Sequence, residues 1–174
     1  MKKITLVFLA LAISFAHSVS AQTLQEQALA LKKPADCGVV DYDAFKNSSF
    51  VLKDDVAKTD KNYEQVTTDI EKYASSEKAI TVDNVKADIS KVKEIKSSLK
   101  TFEDKIAKLT ETGKTLSSNV TSVKPVTKIK PATTNTKDSV KAVDLSRDIL
   151  KNLGTKVDAD LEKLNGLLVK AEGE

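Results

Sequence analysis

Residues 82–120 read VDNVKADISKVKEIKSSLKTFEDKIAKLTETGKTLSSNV, and their spacing decides the fold class. Val85, Ile89, Val92, Ile95, Leu99, Phe102, Ile106, Leu109, Leu116 and Val120 recur at steps of three and four, interrupted only at Gly113. That rhythm keeps every apolar side chain on one stripe of an α-helix. Thr81 precedes the stretch as an N-cap, and Asp83 falls in the first turn, where the helix dipole favours an anion.

The same rhythm flanks it on both sides. Over 41–75 it runs through Phe45, Leu52, Val56, Tyr63, Val66, Ile70 and Tyr73, with Ser49 and Thr59 filling two gaps. Over 136–171 it runs through Val140, Val143, Leu150, Leu153, Val157, Leu161, Leu164 and Leu168. Asn135 or Thr136 would cap this third helix, with Asp138 completing a box-like start. Strand-type alternation persists nowhere. The pattern predicts an all-α, elongated three-helix bundle or antiparallel coiled coil, with helices over about 41–75, 82–120 and 136–171. A helix of about 35 residues is about 50 Å long. Gly113 and Gly154 lie inside helical patterns and mark where a kink or fraying is expected.

The connections differ. The short one near 75–80 forces its two helices into antiparallel contact. The stretch 121–135 holds Pro125 and Pro131 and is expected to be a linker; fully extended it nearly spans a helix, so the third helix could run antiparallel or parallel to the second, with antiparallel favoured. Residues 22–40 read as a short helix carrying Leu24, Ala28 and Leu31, ended by Pro34 and followed by a turn. The three long helices and their linker then form one unit over 41–174.

Residues 1–21 have the form of a cleaved signal peptide. Lys2 and Lys3 precede an apolar run over 4–16, and Val19-Ser20-Ala21 supplies the small-residue exit. The run falls short of the roughly 20 residues that span a bilayer. An exported protein, periplasmic or secreted, is expected, beginning at Gln22. No Cys stands at the cut site to carry a lipid anchor.

Composition narrows the chemistry. The single His (His17) and the single Met (Met1) lie in the signal, there is no Trp, and Arg147 is the one arginine. The formal charge of +3 falls to +1 without Lys2 and Lys3, so no strong field draws nucleic acid. Nearly all the cations are lysines, which read phosphate and base edges poorly, and few aromatics remain to stack bases. No nucleic-acid partner, cofactor, metal site or catalytic residue is expected.

Apparent motifs fail on inspection. Gly113-Lys114-Thr115 resembles the end of a P-loop, but Lys108 stands where the first Gly is required. Asp158, Asp160 and Glu162 imitate the opening of a calcium loop, but Lys163 and Val169 occupy the positions of its Gly and final Glu. Ser-x-x-Lys occurs at Ser75, Ser90 and Ser97 without the partner segments that such a nucleophile needs.

Two features remain as candidate sites. Cys37 is unpaired in an exported chain. It is either an intermolecular bridge that makes a homodimer or a small buried residue before the first long helix. Lys124, Lys128, Lys130, Lys137 and Lys141 make the stretch 124–141 basic, whereas 41–75 carries eight acids against five lysines. The lysines are candidates for contact with an anionic surface. Function is therefore expected from a non-catalytic interaction or structural protein with a protein or envelope-surface partner. The alternative is an amphipathic carrier of lipid or another hydrophobic surface. About two apolar residues per heptad suit an interhelix seam better than the wide apolar face of a lipid-surface helix.

Overall fold

The computed structural model describes residues 23–173. The signal peptide expected over 1–21 and its cleavage site lie outside these residues. Four α-helices follow in order: α1 (Leu24–Ala30), α2 (Val40–Glu71), α3 (Val82–Asn119) and α4 (Ile129–Gly173). No strand occurs among the described residues. The three long helices form the expected all-α bundle, and α1 lies against α2 and α4.

Side-chain pairs fix the directions. Tyr42 on α2 donates to the Leu116 carbonyl of α3, while Tyr73, just after α2, donates to Asp88 near the start of α3. These two helices are therefore antiparallel. Arg147 of α4 donates to Thr110, and Lys96 pairs with Asp158, so α4 is antiparallel to α3. Asn135 meets Asp43, and Tyr63 meets Asp160, so α4 runs parallel to α2. Helix α4 has 45 residues and is about 68 Å long. Both α2 and α3 pack more extensively on it than on each other.

The core follows the predicted stripes. Val56, Val85, Val92, Leu153, Val157 and Leu164 are fully buried along one continuous cluster. Thr81 caps α3 as expected, its hydroxyl accepting from the Asn84 amide at 3.3 Å. Helix α1 begins with a complete capping box between Thr23 and Glu26.

Three expectations are corrected. The third long helix begins at Ile129 rather than at 136. The linker shrinks to two 3-10 turns, Val120–Ser122 and Val126–Lys128, and the residues between them. Pro131 sits in the first turn of α4, where its missing N–H removes no helical hydrogen bond. Asn135 and Thr136 are consequently not caps. They lie inside α4, buried, with Asn135 donating to Asp43 at 2.9 Å and Thr136 to the Ala132 carbonyl. Finally, α3 runs through Gly113 and α4 through Gly154 without a break. A Cβ on Gly113 would lie 2.9 Å from Phe45 Cζ and 3.2 Å from Val140 Cγ2. Glycine here admits side chains from both neighbouring helices, whereas a Cβ on Gly154 would approach nothing closer than 4.0 Å.

Candidate functional site at the lysine-bearing end

The structure gathers both sequence candidates at one end of the bundle, where α2 and α4 begin and α3 ends. Cys37 packs in a small apolar cluster with Tyr42, Val123 and Ala132. Val123 directly precedes the stretch that carries the lysines, and Ala132 lies within it. Cys37 is 2% exposed, and its Sγ donates a long hydrogen bond of 3.9 Å to the Val39 carbonyl. Burial pushes the thiol pKa up, and a nearby Asp43 carboxylate pushes it further. A bridge to a second chain through Cys37 therefore requires this turn to open first.

A polar knot holds the turn shut. The Asp43 carboxylate accepts from the Cys37 and Gly38 amides, both at 2.8 Å, and from Asn135. Lys46 is buried and pairs with Asp36, and its amine lies 3.7 Å from Asp43. Burial alone would raise the Asp43 pKa. The two amides and Lys46 more than offset it and leave the carboxyl below its ordinary range. Gly38 supplies the left-handed backbone the turn needs, with φ at +72°. Its missing side chain leaves room for Lys128, whose Nζ a Cβ would meet at 2.7 Å.

The five lysines lie in the connection before α4 and along its first part. Lys124 and Lys128 lie in the connection before α4, beside the exposed Val126. Lys130, Lys137 and Lys141 follow at steps of seven and four, which puts them on one stripe of α4. Lys128 is half-buried and the other four are exposed. None of the five makes an ion pair with another described residue. Several lysines at the far end of the bundle are paired instead, as Lys78 and Lys91 are with Asp88, Lys163 with Asp160 and Lys86 with Glu172, whereas Lys93 and Lys170 there make no ion pair with a described residue.

Sequence reasoning missed that two carboxylates, Asp88 and Asp160, are buried. Asp88 accepts from Tyr73 at 2.9 Å and pairs with Lys78 and Lys91. Burial opposes its charge, but these partners prevail and hold it below the ordinary carboxylate range. Asp160 accepts from Tyr63 at 2.9 Å, Thr67 at 3.2 Å and Lys163 at 3.1 Å. Burial and Asp160 together hold the Tyr63 hydroxyl far above its ordinary pKa. Each carboxylate is held by three interhelix or local donors and so ties helices together. Among the described residues, no three His, Cys, Asp or Glu side chains converge to hold a metal ion. No described helix is long and apolar enough to cross a membrane.

Beside the lysine-bearing end, α2 and α3 diverge around an open groove of about 470 Å³. Val51, Leu52 and Leu109 form its apolar lining, with Asp55 on the α2 rim and Lys105 and Lys108 on the α3 rim. No protein family, curated protein or solved structure matches this chain.

Proposed function

We propose that this protein is an exported, non-catalytic helical bundle that acts by binding a protein or envelope surface through its lysine-bearing end. One observation carries the proposal. Lys124, Lys128, Lys130, Lys137 and Lys141 lie toward one end of the rod without an ion pair to any described residue, whereas most lysines near the other end, Lys72, Lys78, Lys86, Lys91 and Lys163 among them, are paired with carboxylates. Unpaired ammonium groups gathered on a rigid end attract an anionic surface and lose little internal stabilisation when they engage it. The apolar side chains, by contrast, are mostly consumed in the seams between helices, which supports surface binding over a carrier that opens around lipid.

Reversal of Lys124, Lys128 and Lys130 to Glu tests this. Crosslinking capture from the envelope of the source cell should recover a partner with the native protein. Capture should weaken with added salt and be lost with the triple variant, while helicity by circular dichroism stays unchanged. Capture indifferent to both the reversal and salt refutes the proposal. So does a hydrolase or transferase activity that stays with the purified protein.

A further inference from the structure

We propose that the groove between α2 and α3 is a self-association face, in which two copies pack side by side and parallel about a two-fold axis along the bundle. The inference starts from the order of charge across the groove. The α2 wall ends in Asp55 and the α3 wall in Lys105 and Lys108, all lining the same groove. Val51 stands on the α2 side, 57% exposed, and joins Leu52 and Leu109 in the apolar lining of the groove.

A two-fold axis parallel to the rod keeps each residue at its own height and exchanges left for right. It therefore lays α2 of one copy over α3 of the other. Phe45 beside Gly113 and the Tyr42 bond to Leu116 show that α2 and α3 residues at one height have numbers adding to nearly the same total. Asp55 thus lies within a turn of Lys105 in height, and the rotation brings each Asp55 to the other copy's basic rim. Asp104 and Glu111 are the acids nearest that rim, each further round α3 than Lys108. Glu111 is paired with Lys114 in its own chain, and Asp104 comes near the height of Lys58, which follows Asp55 on the α2 stripe. The Val51 side chains fall beside the axis, each covered by the opposite groove. An antiparallel axis would instead set α2 on α2 and Asp55 near another Asp55.

Opposite signs on the two rims favour a second copy over a lipid chain, which has no use for an acidic wall facing a basic one. The parallel arrangement also sets both lysine-bearing ends at the same end of the dimer. Ten lysines then face one surface, and binding to it gains from two linked contacts. This consequence rests on the function proposed above, but the dimer itself does not.

Sedimentation equilibrium of the purified protein, under reducing conditions that exclude a Cys37 bridge, reads the proposal directly. The native protein should be a dimer at sufficient concentration. Asp55→Lys, and Lys105→Glu with Lys108→Glu, should each weaken dimerisation about tenfold or more. An equimolar mixture of the two variants should recover the native strength, because the heterodimer restores opposite charges on both sides. Val51→Glu should give a monomer with native helicity. A native protein that stays monomeric to millimolar concentration overturns the proposal and leaves the lysine-end function intact. A dimer indifferent to the charge variants, a mixture that fails to recover, or a lipid in the groove of the purified protein also overturns it.

Discussion

The two flanks of α2 are built on the same helical rhythm and have opposite fates. Ala44, Ser48, Val51 and Asp55 follow steps of four, three and four on one flank, and all are exposed. Lys46, Phe50, Lys53, Ala57 and Asp60 follow the same steps on the other, and all are buried. The two sets lie about 100° on either side of the core stripe through Phe45, Ser49, Leu52 and Val56. Helix α1 and the segment after it close the second flank. Ala28 is buried there, Gln25 donates to Asp60 at 3.0 Å, and Lys53 donates to the Ala28 and Leu31 carbonyls at 2.7 and 3.2 Å. Lysine on a helix flank is thus no guarantee of solvent. A lysine that reaches the bare carbonyls at another helix's C-terminus becomes a fastener.

Breaking the closed flank should have the largest effect. Lys53→Ala leaves the carbonyls of Ala28 in α1 and of Leu31 just after it without their donor, and a gap beneath them. We expect a loss of about 2–3 kcal/mol in denaturant unfolding, with hydrogen exchange at α1 rising first. If Lys53 is dispensable, the closed flank is held by Ala28 packing alone.

Gly113→Ala sharpens the comparison from beneath the open flank. The added methyl meets Phe45 and Val140, so α3 must shift away from α2 and α4. We expect destabilisation of about 1–2 kcal/mol despite the better helix propensity of Ala. Gly154→Ala has free space and should stabilise by about 0.5–1 kcal/mol. Similar results at the two sites would refute the close approach at Gly113.

Acid should loosen the turn that continues the closed flank. Asp43 has a lowered pKa in the folded protein, so its stabilisation is complete above the unfolded carboxylate value of about 4 and is lost as pH falls through the folded one. Melting temperatures should drop below about pH 4, and Asp43→Asn should make that drop shallower. Asp43→Asn should also cost about 1 kcal/mol at neutral pH, because two amides lose a charged acceptor. Asp88 contributes to the same acid loss, with the same sign, and is unaffected by that substitution.

The smallest effect belongs to the open flank. Asp55→Ala touches no partner within its own chain and should change stability by less than about 0.5 kcal/mol. A larger loss, measured at a concentration where the protein is monomeric, would show that this flank is also packed.

Much of this architecture was legible because burial leaves a period in the sequence. The stripes of all three long helices, the Thr81 cap and the antiparallel pairing of α2 with α3 follow from spacing and loop length, whereas the longer connection over 121–135 allowed the third helix either direction. The start of α4 was obscured by Pro131, which breaks a helix in its interior and is welcome in its first turn. Asn135 and Thr136 have the chemistry of caps, and only tertiary contact with Asp43 reveals Asn135 as an interhelix bond. Lys46 and Lys53 were hidden by their type. Their signal is the second stripe beside the first, since 46, 50, 53, 57 and 60 keep the core rhythm one position later. The five lysines were visible as a basic stretch. Their lack of ion pairs belongs to the three-dimensional arrangement.

The length and position of α4 carry a consequence for the order of events during synthesis. It is the surface on which α2, α3 and α1 all pack, and it is the last of the four helices to leave the ribosome. Tyr63 and Asn135 find their partners across more than ninety residues of chain. At ordinary rates of translation, the 45 residues of α4 take roughly two to nine seconds to make. Until then the earlier helices can form only the loosely joined pair of α2 and α3. The nascent chain therefore stays open until its spine arrives, and folding closes late and all at once.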